Sequence, residues 1–308
     1  SAGWRISEEN FFEPLRGAID NLKLRASYGE LGNQSIDGYY PYAASIGSGA
    51  NYWFDKHLVT GVAQTQLAND KISWEKSKQF DAGLDIGMFS SHLTIGFDYY
   101  VRNITNMLQQ FTVPLFVGMT SPWQNAGSMR NQGWDLSIGW KNRIEKLNYY
   151  ITANLSDVKN KVVNLYGKNY IGYSTITEEG SPIGSYYGYV SDGYFNSQEE
   201  IDNASCVYGG NKKNIKPGYI RYKDIGNDDP ENPKIDSKDR TIIGNPSPRY
   251  NYSFTIGGDW KGVDFSLFFQ GVGKKDIFYS GGGARPLISY CTLYKHQLDY
   301  WTPENKNA

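Results

Sequence analysis

The chain has 308 residues, enough for one large β domain or two smaller ones, and carries 31 Lys and Arg against 32 Asp and Glu. That balance excludes a nucleic-acid footprint, and the two cysteines, Cys206 and Cys291, imply neither a disulfide framework nor a cysteine-rich metal site. No run of 18 apolar residues exists, so no transmembrane helix is expected; a membrane β-barrel needs apolar residues only at alternate positions and escapes that criterion.

In chain order, "SAGW" reads as the end of a strand leading into a short turn around "EENFFEPLRG". Leu22, Leu24, Ala26 and Tyr28 then alternate with Lys23, Arg25 and Ser27. The clearest element spans residues 77–103. Phe80, Ala82, Leu84, Ile86 and Met88 share one phase, and after a short gap Leu93, Ile95, Phe97, Tyr99 and Val101 resume it. The opposite phase holds Asp81, Gly83, Asp85 and Gly87, then Thr94, Gly96 and Asp98. This pattern predicts a hairpin with one apolar and one polar face. Three aspartates in one phase are hard to place against lipid, so the apolar phase is expected to face lipid and the polar phase a lumen.

Four more alternating strands follow. Trp134, Leu136, Ile138 and Trp140 form one, and Tyr149, Ile151, Ala153 and Leu155 the next. The last two are Tyr252, Phe254, Ile256 and Trp260, then Val263, Phe265, Leu267 and Phe269. Only "SQEEIDNAS" reads as a helical turn. Short links follow Met88, Lys141 and Trp260, whereas long ones follow Gly32, Asn103, Asp157 and Gly273. Strict alternation of short and long connections is the habit of an outer-membrane barrel, with turns on the periplasmic side and loops outside. Aromatics at strand ends, among them Tyr99, Trp134, Trp140, Tyr149 and Trp260, suit interfacial girdles.

The blocks "WRISEENFFEPLRGAIDNLKLRASYGELGNQSI", "VPLFVGMTSPWQNAGSMRNQGWDLSIGW", "EEGSPIGSYYGYVSDGYF", "YIRYKDIGNDDPENPKIDSKDRTIIGNPSPRYNYSFTIGGDWKGVDFSLFFQGVGKKDIF" and "LDYWTPENKNA" resemble, in family order, the SusC/RagA family of TonB-dependent outer-membrane transporters. The resemblance implies an all-β, antiparallel transmembrane barrel segment. About eight membrane strands are present, against roughly 22 in an outer-membrane transporter with a plugged lumen. Residues 1–308 then correspond to a C-terminal portion of one barrel domain, with the plug, the N-terminal extension and the final strands outside it. The strand near Trp4 and the strand near Phe269 are expected to be edges that do not close on each other. The resemblance further implies import of glycans or peptides across the outer membrane of a Bacteroidota-type Gram-negative bacterium. A SusD-like surface lipoprotein would cap the barrel, the TonB complex would act through segments absent here, and outer-membrane lipid would surround it.

Site residues are expected in the long loops. Tyr170, Tyr173, Tyr186, Tyr187, Tyr189 and Tyr194 crowd one external segment. Aromatic faces stack on sugars and anchor protein interfaces, so glycan contact and packing on the lipoprotein are both open, with packing inside the loop the reading for most. The family counterpart of "DIGNDDPENPKIDSKD" resembles a calcium loop, in which Asp224, Asp228, Asp236 and Asp239 would supply oxygens. Its two prolines and extra length favour the alternative, a metal-free acidic loop held by turns and basic partners. No cofactor is otherwise expected.

Catalysis is not expected. No nucleophile elbow, H-E-x-x-H, P-loop or dinucleotide motif occurs, and His57, His92 and His296 are too scattered for a metal site. Glu178 and Glu179 could imitate a glycosidase pair. Two further readings are a secreted β-sandwich lectin or adhesin using the same tyrosines, and a glycoside hydrolase on a β scaffold.

Overall fold

The structure is a computed structural model and describes residues 1–36, 40–110, 113–226, 233–288 and 292–306. Its largest element is an eight-stranded antiparallel sheet. The strands are β1 (Ala2–Arg5), β2 (Ile19–Asn33), β3 (Glu75–Met88), β4 (Leu93–Thr105), β5 (Ser128–Ile144), β6 (Leu147–Asn164), β7 (Arg249–Trp260) and β8 (Val263–Lys274). Each strand pairs with its sequence neighbours, and β1 and β8 are the two edges, unpaired with each other. The sheet is therefore open, with its edges at the expected strands. Turns of 3-10 helix at Ile6–Glu8 and Asn10–Leu15 connect β1 to β2.

The period-2 pattern becomes continuous rows because the register is in phase across the sheet. Leu22 lies opposite Ile86, and the row continues through Ile95, Ile138, Ala153, Phe254 and Phe269. Phe254 and Phe269 stack with centroids 4.6 Å apart. A row on the opposite face runs Arg25, Gly83, Asp98, Asp135, Ser156, Asn251. The apolar rows are not covered: Phe97 is 40% exposed and Leu267 54%. An exposed apolar face of this extent marks an interaction surface rather than a water-facing one. No helix among the described residues is long and apolar enough to cross a membrane.

Short links join the strands at one end. Lys261 and Gly262 turn the chain between β7 and β8 with φ of 51° and 86°, the left-handed pair that a tight hairpin needs. Glu145 and Lys146 link β5 to β6, with Glu145 at φ 51°. The strands reach well past the alternating cores. β6 extends to Asn164 and β5 begins at Ser128, so part of each expected loop is strand.

The chain divides into two compact units. The sheet belongs to the first: residues 1–169, 178–181 and 249–274. The second is residues 170–177, 182–248 and 275–308. The second unit has a four-stranded sheet of Tyr170–Ile171, Thr175–Thr177, Ser185–Tyr189 and Arg240–Gly244, and a strand pair of Ser191–Tyr194 with Ile220–Tyr222. Its helix α1 (Gln198–Asn203) falls where the sequence places a helical turn. Ser197 Oγ accepts the Glu200 N–H at 3.2 Å, and Glu200 Oε2 accepts the Asn196 N–H at 2.8 Å, so both groups satisfy orphan donors at the helix start. Ile201 of α1 is buried with Phe195 and Val207, packed by Ala204 and Ile215.

Candidate functional site

On the polar face of the first unit, Arg25 of β2 reaches across two strands. Its Nε and Nη2 donate to Asp85 at 2.8 and 3.0 Å, and Nη2 also donates to Asp98 at 3.0 Å. The reach depends on Gly83, since a Cβ there would meet Asp98 Oδ1 and the Arg25 guanidinium. Asp98 Oδ1 is buried with no hydrogen-bond partner among the described residues, and Asp135 lies opposite Asp98 in the next strand. Further along the face, Asn154 Nδ2 donates to Ser253 Oγ at 3.2 Å. Asp85, Asp98 and Arg25 thus lie on one face, with Leu84, Ile86, Ile95 and Phe97 on the other. A polar, partly charged wall of this kind can line an aqueous passage, and its short side chains leave that passage wide.

In the second unit the six tyrosines fall into different settings. Tyr189 meets Tyr208 edge-on at 5.5 Å and Tyr222 at 5.3 Å. Burial raises the Tyr189 and Tyr222 phenols above the usual tyrosine range, and the neighbouring Tyr208 adds to it. Arg240 lies 4.4 Å from the Tyr187 ring centroid and donates to the Tyr173 and Tyr187 carbonyls at 3.2 and 3.1 Å. Tyr186 packs on Phe278 at 6.1 Å. Tyr170 pairs with Thr177, and Tyr194 with Ile220. Tyr173 is 82% exposed, so it is the tyrosine of this set best placed to touch something outside the unit. A cleft of about 890 Å³ is lined by Asp192, Glu199, Glu200, Arg221, Tyr222 and Asp224, among others. Arg221 donates to Asp192 Oδ2 at 3.1 Å.

Sequence reading overlooks the hairpin Tyr52–Phe54 with His57–Val59 in the first unit. Asp55 and Lys56 turn it with φ of 43° and 63°. Tyr52, Trp53 and Phe54 are all exposed. The run Tyr-Trp-Phe before Asp-Lys was the available signal, but three consecutive aromatics do not alternate.

The described ends of the acidic segment are held by backbone donors. Asp239 is fully buried; its Oδ1 accepts the N–H groups of Ile225 and Gly226 at 2.9 and 2.8 Å, and Oδ2 that of Asp236 at 2.8 Å. Burial pushes its pKa up, but these three donors outweigh it and hold the carboxyl below its usual range. Asp236 accepts the Lys238 N–H at 2.8 Å and pairs with Lys234 at 3.5 Å. Asp224 accepts from Cys206 Sγ at 3.5 Å. Asp228 lies outside the described residues. Among the described residues no three His, Cys, Asp or Glu side chains gather as a metal's donor set. Glu178 and Glu179 also act structurally. Glu178 accepts from Ser181 Oγ at 3.2 Å, and Glu179 from the Leu165 and Gly167 N–H groups at 2.6 and 3.4 Å.

The β-barrel model of the TonB-dependent receptor-like proteins matches residues 2–302. The chain belongs to this family. It is 32% identical to TonB-dependent receptor P3 of Formosa agariphila over 99% of its own length and 30% of that protein. It is 28% identical to TonB-dependent receptor SusC of Bacteroides thetaiotaomicron over 96% of its own length and 29% of that protein. Among solved structures, the RagAB peptide importer in its closed-closed state superposes with a TM-score of 0.76 at 27% identity, over 99% of this chain and 32% of that one. The receptor chain thus spans about a third of the length of the relatives it matches. The family match makes the open sheet part of a transmembrane β-barrel, in which the apolar rows are expected on the lipid side and the polar rows on the lumen side.

Proposed function

We propose that the receptor chain forms part of an outer-membrane importer of the SusC type, rather than an enzyme or a secreted lectin. It would take up oligomeric nutrient, peptide or glycan, under a SusD-like surface lipoprotein and with energy from the TonB complex. The observation that carries this reading is the sheet itself. A continuous apolar face lies back to back with a face of Arg25, Asp85, Asp98, Asp135, Asn154 and Ser253. A lectin sandwich would cover the apolar rows with a second sheet, and here they are exposed. Likeness to the RagAB peptide importer supports the peptide class, and the glycan class rests on the resemblance to the SusC/RagA family. The exposed Tyr173 and the hairpin aromatics Tyr52, Trp53 and Phe54 are the proposed contacts for substrate or lid, through stacking or interface anchoring.

The test uses the full-length receptor in its own bacterium. Labelled oligopeptides and oligosaccharides are offered to cells with and without the gene, and the receptor is purified with whatever chains accompany it. Loss of uptake of one class, with co-purification of a surface lipoprotein, is expected. Unchanged uptake of both classes would overturn the reading.

A further inference from the structure

The lipid side of the sheet carries a charge feature that import does not use. In the outward phase, above the apolar rows, Glu30 lies opposite Lys78, Lys78 opposite Asn103, Asn103 opposite Arg130 and Arg130 opposite Lys161. Lys76 and Lys159 flank this row in the same phase. Five cations therefore stand on three strands, β3, β5 and β6, with Asn103 of β4 between them. The anions beside them are few. Glu30 lies 3.8 Å from Lys76 and 3.5 Å from Lys78, and Asp157 is held by Arg249.

Height decides what this row meets. Lys78 is ten residues from Met88, Arg130 ten from Trp140, and Lys161 ten from Ile151. Ten residues rise about 34 Å along a strand, or about 25 Å across the membrane at the ~45° tilt of barrel strands, which is the height of the apolar band. The row thus sits at the boundary of the leaflet on the long-loop side. The other boundary differs. Outward strand positions there are Met88, Leu93, Asn142, Tyr149 and Gly258, whereas the strand cations at that end, Lys23, Lys141 and Arg143, are in the inward phase and Lys146 and Lys261 are in the turns. A general need for solubility would not make the two ends unequal.

We propose that this row binds the phosphate groups of an outer-leaflet lipid. The inference rests on the outer-membrane reading above. Arg130 Nε donates to Asn103 Oδ1 at 2.7 Å, which orients the guanidinium and leaves its terminal nitrogens without a partner among the described residues. Such a fork matches phosphate oxygens, and basic clusters beside a bilayer attract anionic headgroups. From Lys78 to Lys161 is three strand spacings, about 14 Å, room for a headgroup with more than one phosphate. Phe80, Tyr99 and Trp134 lie one or two rows below, where the acyl chains of the same lipid would run. A soluble substrate does not reach this face, so the ligand must be one that lies in the leaflet.

The experiment uses the full-length receptor, extracted from outer membranes and studied by native mass spectrometry. Three probes are titrated: an outer-leaflet glycolipid with its phosphates, the same lipid after phosphatase treatment, and inorganic phosphate alone. The phosphorylated lipid is expected to bind at least tenfold more tightly than the dephosphorylated one. The triple variant Lys78→Gln, Arg130→Gln, Lys161→Gln should erase that difference, and the double variant Lys78→Arg, Lys161→Arg should keep it. Equal binding of both lipids, or a triple variant like the parent, would overturn the proposal. Inorganic phosphate binding as tightly as the lipid would overturn it too, by marking a free-phosphate site. Membrane fractionation and substrate uptake are measured in parallel. A receptor that fractionates to the outer membrane and imports substrate, yet does not discriminate the lipids, shows failure of this proposal alone.

Discussion

Arg249 grips Asp157 with both Nε and Nη2, the latter at 2.5 Å, and the two residues are 92 positions apart in the chain. Asp157 is only 5% exposed. The pair ties β6, one residue past Ser156 where its pairing with β7 stops, to the first residue of β7. The Tyr250 N–H adds a third donor to Asp157 at 3.4 Å, and Tyr250 itself takes a left-handed φ of 55°. Removing one member strands a buried charge, which costs about 3–5 kcal/mol, whereas removing both costs less. Arg249→Ala is therefore expected to destabilise the folded receptor by several kcal/mol. The double variant Asp157→Ala, Arg249→Ala should fall well short of the sum in urea unfolding from lipid vesicles. Additive effects would show that the pair is not coupled.

The two faces of the sheet make a second expectation. Single cysteines at Leu84 and Ile95 should resist a membrane-impermeant thiol reagent in intact outer membranes, while a cysteine at Asp85 should react once the lumen is open to water. The warrant is that a charge on the lipid face costs about 2–4 kcal/mol for Arg or Lys at the midplane and less for Asp. Labelling of Leu84 and Ile95 with protection of Asp85 would reverse the faces.

Much of this architecture is legible in the sequence because a strand's side-chain period is 2 and one face must stay apolar. Phe80 to Met88 and Leu93 to Val101 show this without any neighbour. What the sequence hides is register and closure. The row from Lys78 to Arg130 to Lys161 exists only once β3 to β6 are aligned. Asp157 reads as one more polar position until Arg249 is seen to return to it. The tyrosine segment was legible as a cluster, but its division into half-buried Tyr189 and exposed Tyr173 depends on Tyr208, Tyr222 and Arg240 from other parts of the second unit. The sequence offers Asp239 either as a candidate calcium ligand or, preferably, as part of a metal-free acidic loop, but it does not show the backbone N–H groups that both its oxygens accept.

A third expectation concerns Gly257. The Tyr150 ring covers it from the neighbouring strand, and a Cβ on Gly257 would collide with that ring. The Tyr150 hydroxyl also donates to Ser266 Oγ at 3.3 Å, which fixes where the ring lies. Covering a strand glycine with an aromatic ring shields backbone that has no side chain of its own. Gly257→Ala should cost about 1–3 kcal/mol, the usual range for overpacking. Adding Tyr150→Ala to that variant should recover part of the loss. A neutral Gly257→Ala would mean that the ring moves aside freely.

Asp239 provides the pH dependence. Its carboxyl titrates below the usual value of about 4 in the folded turn, because three backbone N–H groups stabilise the anion against the opposing effect of burial. The folded pKa is the lower of the two, so the anion's contribution to stability is full above the unfolded value. It is lost as pH falls through the folded value. Amide protection factors at Ile225, Gly226 and Asp236 should therefore stay level from about pH 8 to pH 5 and fall below about pH 4. Asp239→Asn should lower protection throughout, by about 1–3 kcal/mol for a buried donor left without its acceptor, and should flatten the pH profile. The same measurement bears on calcium. Both Asp239 oxygens are already engaged by the backbone, so a chelator at neutral pH is expected to leave protection in this turn unchanged. A loss of protection on chelation, restored by added calcium, would show that a cation rather than the backbone holds residues 224–239 together.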